Sequence, residues 1–295
     1  MRNAKPGRAR RRGRCKRFGA PEFNRHLQKQ KTHAQELNLA QLSTIPDNSS
    51  LLVIASPTVP LLAGEVRILK EYLHNGGNLL WLLDPDSQNI TELQQLLGIT
   101  RLPGTIVDSG SRLYGVDDPS FVLISEYIRH PITYNFSNIT VFPVASALND
   151  SEESEFAIET LMNTVVNSWT ETGPIAGKVQ FDPDSSETEG PLTLAYALTR
   201  EMENQAEQRI IVIGDGDFIA NSFLGNAGNL ELGLRMINWL IHDDQFVEIP
   251  EYTTPGRTLE LSSLQIGLIG FGFLILLPIV LLFCGFLIWH RRKNS

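Results

Sequence analysis

Four acidic side chains follow two apolar stretches that are typical of buried strands. Asp84 and Asp86 come after one stretch, and Asp215 and Asp217 come after the other, with Asn221 shortly beyond. In open parallel α/β sheets, ligands bind beyond the carboxyl ends of the strands. Oxygen ligands at such an edge could hold Mg²⁺ or Ca²⁺. The same residues also suit tight turns, because an Asp side chain accepts hydrogen bonds from nearby backbone N–H groups.

Other patterns that carry chemistry do not occur in this sequence. There is no GxxxxGK[ST] phosphate loop, no GxGxxG after a strand and no GxSxG turn. Cys15 lies in a basic stretch and Cys284 in an apolar one, so the two cysteines predict neither a disulfide nor a metal site. The histidines between residues 32 and 264 lack the spacing of metal ligands. We therefore predict no cofactor and no catalytic constellation.

The elements that would position the carboxylates alternate between strands and helices. Strands are predicted over residues 51–57, 78–85, 102–107, 121–125, 138–144, 192–198, 209–213 and 246–250, and helices over 61–74, 90–97, 156–169 and 229–242. The first strand, helix and strand form one βαβ unit with a right-handed crossover. Residues 199–208 are predicted to be a polar connector. This order predicts an α/β fold with a mostly parallel sheet.

Charge is distributed unevenly along the chain. Residues 1–31 hold 12 of the 25 Lys and Arg, whereas residues 32–264 hold 10 basic and 32 acidic residues, a net charge of −22. Such an acidic domain would repel phosphates, so nucleic acid is not predicted as its partner. We interpret residues 1–34 as a disordered or artefactual segment, since no apolar run of a signal peptide follows. An arm for nucleic acid or anionic lipid and a targeting segment are the alternatives.

A long apolar segment lies near the end of the chain. The 24 residues from Ile266 to Trp289 include no charged or strongly polar side chain. As a helix they would reach about 36 Å, enough to cross a hydrocarbon core of about 30 Å, and Pro278 permits a kink. The basic residues that follow favour the cytoplasmic side; they are Arg291, Arg292 and Lys293. We predict a transmembrane helix over 264–290 and a cytoplasmic tail over 291–295.

The predicted span determines on which side of the membrane the rest of the chain is expected. Residues 35–255 are predicted to form an extracytoplasmic domain with a β-rich insertion over about 108–200, and 256–263 a linker. In a bacterial cell the chain would sit in the inner membrane, with the main domain periplasmic or extracellular. Because a C-terminal span cannot export the domain before it, we expect a missing N-terminal helix or export signal upstream of Gln35.

Three stretches together resemble the GldG-type family, the membrane-anchored auxiliary components of ABC transporters of the gliding-motility kind. The first runs from residue 51 through Gly76-Gly77-Asn78-Leu79-Leu80-Trp81-Leu82-Leu83-Asp84-Pro85. The second is the strand with its GD-x-DF-x-x-N turn over 209–221, and the third is the GN…NWL pattern over 228–240. The apolar C-terminal segment completes the resemblance, which covers roughly residues 37–290.

The resemblance implies an extracytoplasmic sheet that is flavodoxin-like or similar to a degenerate glutamine amidotransferase. It also implies an ABC permease and its ATPase subunit as partners, and no catalytic residues. Members usually carry a transmembrane helix before the domain, where this chain has an Arg-rich segment. That departure agrees with the expectation that an N-terminal piece is missing.

The function predicted from these observations is a non-catalytic, membrane-anchored auxiliary subunit of an ABC-type transport system. It would contact the permease in the lipid bilayer and present its α/β domain outside. Two alternatives stay open. One is a metal-dependent hydrolase or transferase that uses Asp84, Asp215 and Asp217. The other is a glycan-binding module, suggested by the aromatic residues Tyr114, Tyr127 and Tyr134.

Overall fold

The structure is a computed structural model that describes residues 21–111, 115–151, 153–175, 179–203 and 206–243, together with Pro278. The helices are α1 Pro21–Lys29, α2 Ala63–His74, α3 Thr91–Leu97 and α4 Asn229–Leu240. The strands are β1 Leu52–Ala55, β2 Leu79–Leu82, β3 Ile99–Arg101, β4 Thr105–Asp108, β5 Phe121–Ile124, β6 Thr140–Pro143, β7 Leu148–Asp150, β8 Ala157–Asn163, β9 Ser168–Glu171, β10 Thr193–Glu201 and β11 Glu207–Ile213.

Seven of these strands form one mixed sheet in the order β1-β2-β11-β10-β7-β3, with β8 also paired to β10. β2 is parallel to both β1 and β11. The pairs that involve β10, β7, β8 and β3 are antiparallel. The fold is therefore α/β, but the prediction of a mostly parallel sheet is wrong.

A short hairpin explains why the sheet changes direction. β10 and β11 are joined by a tight connection in which the Met202 N–H donates to the Ala206 carbonyl oxygen at 2.8 Å. A connection this short allows only antiparallel pairing. The polar connector predicted over 199–208 is correspondingly shorter, because β10 runs to Glu201 and β11 begins at Glu207.

Helices cover both faces of the sheet, as the alternation of side chains along the strands requires. One face packs against α2 and α3 through an apolar core that includes Leu52, Ile54, Leu79, Trp81, Ile210 and Val212. The intervening residues of β2 and β11 are also buried, and α4 packs against these two strands. α3 ends at Gly98, whose φ of +69° is the left-handed conformation expected at a helix end.

The segment predicted as a helix over 156–169 is instead two strands. β8 pairs with β10 from Ala157 opposite Thr199 to Asn163 opposite Thr193, and β9 pairs with β4. Pairing with a long neighbouring strand decides the conformation here, and it overrides the weak helical spacing of the apolar residues. β5 and β6 form a further antiparallel pair.

The described structure includes residues before the predicted boundary at residue 35. α1 buries Phe23 and Leu27 completely or nearly so. The Phe23 ring lies against α4 at Gly233, where an added Cβ would be 3.1 Å from it. Residues 21–29, within the segment interpreted as disordered or artefactual, thus form a packed helix in the structure. An apolar pair four residues apart, as here, is the spacing of a packed helix.

The chain divides into two compact units, Met1–Phe246 and Val247–Ser295. Of the second unit the structure describes Pro278, which is helical and exposed. The rest of the predicted span and tail, including Ile266, Trp289 and the basic residues 291–293, lies outside the described residues, as does the predicted strand over 246–250. Among the helices that are described, none is both long and apolar enough to cross a bilayer.

Candidate functional site

The predicted acidic residues follow strands that end side by side. β1, β2 and β11 are parallel, and their registers place Ala55, Leu82 and Ile213 next to one another. Ser56 follows β1, Asp84 follows β2 by two residues, and Asp215 follows β11 by two residues. We call the loops that begin with these three residues the carboxylate edge.

Asp84 joins two of these loops. Its Oδ1 accepts a hydrogen bond from the Gly216 N–H at 2.7 Å, and its own N–H donates to Ser87 Oγ at 2.8 Å. Its side chain is almost fully buried, with 3% of the residue exposed. The carboxylate thus satisfies a backbone donor of the neighbouring loop, which would otherwise be buried without a partner.

Asp215 closes its own turn. Its Oδ1 accepts hydrogen bonds from the N–H groups of Asp217 at 2.6 Å and Phe218 at 2.9 Å, an arrangement in which an Asp side chain caps a turn. The residue is completely buried, and Oδ2 has no hydrogen-bond partner. Burial, followed by the neighbouring charge of Asp84, raises the pKa of the Asp215 carboxyl well above its usual value.

Two glycines allow the loops to approach this closely. The Gly214 carbonyl oxygen accepts from the Ser146 N–H at 2.7 Å, and a Cβ at position 214 would overlap the Ser146 carbonyl oxygen. A Cβ at position 216 would collide with Ser56 Oγ and lie 3.4 Å from Asp84 Oδ1. Both hydroxyls, Ser56 Oγ and Ser146 Oγ, are buried without a hydrogen-bond partner.

The remaining predicted residues of this set lie further out. Asp86 is exposed, Asp217 is half-buried, and Asn221 is exposed with its Oδ1 accepting from the Glu22 N–H at 3.4 Å. The structure therefore brings Asp84 and Asp215 together and leaves Asp86 and Asn221 at the surface. Within the described residues, no group of three or more His, Cys, Asp and Glu side chains is placed to hold a metal ion.

Arg101 supports the carboxylate edge from β3, and the sequence patterns did not single it out. Its guanidinium donates to the carbonyl oxygens of Asp84 at 2.7 Å, Pro85, and Ser87 at 3.0 Å, and to Asn89 Oδ1 at 3.2 Å. Burial lowers the pKa of Arg101, while the nearby carboxylates of Asp86 and Asp84 act in the opposite direction. A single side chain thus holds the whole loop after β2.

Asn229 explains the GN part of the GN…NWL pattern. This buried residue begins α4, and its side chain exchanges two hydrogen bonds of 2.8 Å with the backbone of Val141 in β6. Its Nδ2 also donates to the carbonyl oxygens of Phe218 at 3.0 Å and Phe223 at 3.1 Å. The side chain therefore ties α4 and β6 to the segment that follows Asp215.

Tyr127 and His130, whose side chains could bind a ligand or transfer a proton, instead contact other residues inside the fold. The Tyr127 hydroxyl donates to the carbonyl oxygens of Ile124 and Asn138, and it also forms a hydrogen bond with the Thr140 hydroxyl. Burial raises the pKa of Tyr127 to about 12. His130 is buried edge-on against Trp239, and burial lowers its pKa to about 4. Tyr134 is half exposed, and Tyr114 lies outside the described residues.

Known proteins place the chain among auxiliary components of transport systems. Residues 22–241 match a family described as an "ABC-type uncharacterized transport system". Because the match covers most of the 295 residues, the chain belongs to this family of ABC transporter auxiliary proteins. No curated protein matches the chain in sequence.

Three solved structures are similar to the described domain to different degrees. The N-terminal domain of mmIFT52 is similar over 76% of this chain and 91% of its own, with 17% identity and a TM-score of 0.55. A ThuA-like protein from Bacteroides uniformis (16% identity, 76% and 83% covered, TM-score 0.41) and a cytoplasmic protein from Salmonella typhimurium (12%, 75% and 86%, 0.43) score lower. At 17% identity the likeness to mmIFT52 concerns the fold alone.

Proposed function

We propose that this protein is a non-catalytic, membrane-anchored subunit of an ABC-type transport system. It presents its α/β domain outside the cytoplasm and binds the permease, with ATP hydrolysed by a separate subunit. The observation that carries the proposal is the family match over residues 22–241, which includes β1 to β11, α2 to α4 and all of α1 except Pro21. A gliding-motility type of system is the specific form that the sequence resemblance favours.

The hydrogen bonds of the carboxylate edge support a non-catalytic role. Three of its backbone N–H groups are satisfied by Asp84 Oδ1 and Asp215 Oδ1, so these oxygens are already used inside the fold. A catalytic carboxylate needs a position from which it can reach a substrate. Asp84 and Asp215 are instead almost completely buried.

Sequence features outside the described residues support the anchoring. The apolar run from Ile266 to Trp289 is long enough to span a bilayer, and Arg291, Arg292 and Lys293 follow it directly. The net charge of −22 over residues 32–264 agrees with a domain on the side opposite to these basic residues.

Co-purification tests the partnership. The full chain carries an affinity tag and is expressed with the permease and ATPase subunits of its own cell, then isolated in a mild detergent. We expect all three to elute together at fixed ratios, and a variant without residues 264–295 to lose the permease. Recovery of the tagged chain alone would contradict the proposal.

Cysteine labelling tests the topology. A variant with Cys15 and Cys284 changed to Ser and Val166 changed to Cys carries one thiol at a position that is 67% exposed. A maleimide that cannot cross the inner membrane should label this thiol in intact cells. Labelling only after the inner membrane is broken would place the domain in the cytoplasm.

A further inference from the structure

Asp215 carries a buried carboxylate oxygen that the turn after β11 does not use. Its Oδ1 accepts the two N–H groups of that turn, whereas Oδ2 has no hydrogen-bond partner among the described residues. The residue is completely buried, so bulk water does not reach this oxygen. A buried polar atom without a partner lowers stability, and native proteins usually provide one, which can be a bound ion or water.

Ser56 provides a second unused oxygen at the same edge. Its hydroxyl is completely buried and has no hydrogen-bond partner within the described part of the chain. A Cβ at Gly216, the residue directly after Asp215, would collide with Ser56 Oγ and lie 3.4 Å from Asp84 Oδ1. Both oxygens therefore face the same side of Gly216, and the glycine keeps the place beside them free of a side chain.

The charges that act on Asp215 are negative. Burial is the largest cause that raises its pKa, and the charges of Asp84 and Asp217 act in the same direction. The positive charge of Arg101 is directed to the loop after β2, where the guanidinium donates to the carbonyl oxygens of Asp84 at 2.7 Å and Ser87 at 3.0 Å. A buried carboxylate with negative neighbours is stable when a proton or a cation neutralises it.

A cation accounts for more of these observations than a proton does. A proton on Asp215 would remove the charge but leave the Ser56 hydroxyl without a partner. A cation instead takes carboxylate and hydroxyl oxygens together as ligands. Hard divalent cations prefer such oxygen ligands, and they complete their coordination with backbone carbonyl oxygens and water.

We propose that the carboxylate edge binds one hard divalent cation, such as Mg²⁺ or Ca²⁺, through Asp215 Oδ2, Ser56 Oγ and the Asp84 carboxylate. The cation has a structural role, because it links the loops after β1, β2 and β11. The site uses two carboxylates, fewer than the three or more His, Cys, Asp and Glu side chains that no place in the described residues brings together. The proposal does not depend on the proposed function, since a fully enclosed cation contacts no partner or substrate.

Thermal unfolding of the full chain in detergent tests the proposal. The protein is dialysed against EDTA and then titrated with MgCl₂ or CaCl₂, with KCl at equal ionic strength as the control for screening. A ligand that binds only the folded chain raises the melting temperature as its concentration increases. We expect at least one of the two divalent cations to raise it, KCl to give no comparable rise, and isothermal titration calorimetry to give one site per chain.

Four variants locate the site. Asp215→Asn retains an oxygen for the turn bonds but removes the charge, so it should abolish the shift. Ser56→Ala should weaken the affinity about tenfold without lowering stability in EDTA, because it removes a buried hydroxyl that has no partner. The controls are Asp86→Asn, which removes the same charge from an exposed side chain, and Ser111→Ala, which removes a buried hydroxyl elsewhere. Both should keep the wild-type shift.

Two results would overturn the proposal. One is an equal shift in the wild type, Asp215→Asn and Ser56→Ala, which would show that the cations are attracted to the surface of a region whose net charge is −22. The other is no shift in the wild type, as expected if a proton or a buried water molecule takes this place. If Asp215→Asn does not fold, Ser56→Ala and its control Ser111→Ala decide the question.

Discussion

The carboxylate edge and the outer surface of α2 differ in how their polar groups are used. At the edge, Asp84 and Asp215 are buried and accept hydrogen bonds from three backbone N–H groups of the edge. On the outer surface of α2, Arg67 forms an exposed ion pair with Glu71 at 3.6 Å, and Leu62, just before the helix, is more than half exposed. Two of the residues that suggested chemistry are therefore internal, whereas the charged residues of an ordinary helix face outward.

This difference shows that residue type alone is a poor guide to a site. An Asp after a strand suits both a metal ligand and a turn cap, and only its hydrogen-bond partners distinguish the two. A leucine at a helix start looks like part of a core until its exposure is known. The following predictions test the contrast between the buried carboxylate edge and the exposed surface of α2, from the largest expected effect to the smallest.

Gly214→Ala should damage the carboxylate edge most. The new Cβ would overlap the Ser146 carbonyl oxygen, a backbone atom that cannot move without separating two loops. We expect a loss of about 3–5 kcal/mol in the free energy of unfolding, or failure to fold. Urea denaturation of the full chain in detergent, followed by circular dichroism, measures it. Gly225→Ala is the control, because a Cβ at that position has no atom within 4 Å, and it should stay within about 0.5 kcal/mol of the wild type.

Asp215→Ala should remove both turn bonds. The N–H groups of Asp217 and Phe218 would lose their acceptor, at an expected cost of about 2–3 kcal/mol. Asp215→Asn retains an oxygen at the Oδ1 position and should lose less than half as much in the same unfolding measurement. Equal losses for Ala and Asn would mean that the turn bonds are not what Asp215 contributes.

The stability of the wild type should fall as the pH rises from acid to neutral, because of Asp215. Its pKa is higher in the folded chain than in the unfolded chain, so folding favours the protonated form. The resulting stabilisation is fully present below the unfolded pKa and is lost as the pH rises through the folded pKa. As the pH rises from acid to neutral, the wild type should therefore lose stability relative to Asp215→Asn.

Thermal unfolding of both proteins across this pH range checks the prediction. Gly225→Ala should follow the wild type at every pH, because it leaves the carboxylate edge unchanged. A difference between wild type and Asp215→Asn that does not vary with pH would show that the Asp215 carboxyl titrates alike in the folded and unfolded chains.

Leu62→Ser should raise stability slightly. A serine hydroxyl can accept from backbone N–H groups at the start of α2, which is worth about 0.5–1 kcal/mol. Differential scanning fluorimetry of the full chain should show a melting temperature at or above that of the wild type. A clear decrease would mean that the Leu62 side chain contributes to packing.

Local patterns predicted much of the fold. The strands after residues 51, 78 and 209 and the helices near residues 61, 90 and 229 agree with β1, β2, β11, α2, α3 and α4 within a few residues. These elements carry strong signals, namely short apolar runs, helical spacing and Gly at helix ends. The same patterns placed Asp84 and Asp215 at one edge, because parallel neighbours end on the same side of a sheet.

Long-range pairing decided what the patterns missed. β8 was predicted as a helix, since nothing within residues 156–169 shows that β10 lies alongside. The supporting roles of Arg101 and Asn229 cannot be predicted from local patterns, because their hydrogen-bond partners include carbonyl groups that are distant in sequence. α1 was overlooked because a basic stretch surrounds its two buried residues, Phe23 and Leu27.

The sequence by itself determined that a strongly acidic α/β domain precedes an apolar segment with a basic end, since charge and hydropathy need no neighbours to be read. Only the tertiary structure decided what individual side chains do. Asp215 became a buried turn cap and Leu62 an exposed side chain because burial and hydrogen bonding depend on which distant segments come together. That dependence is the physical reason why the same residue types can lie in the core at one place and at the surface at another.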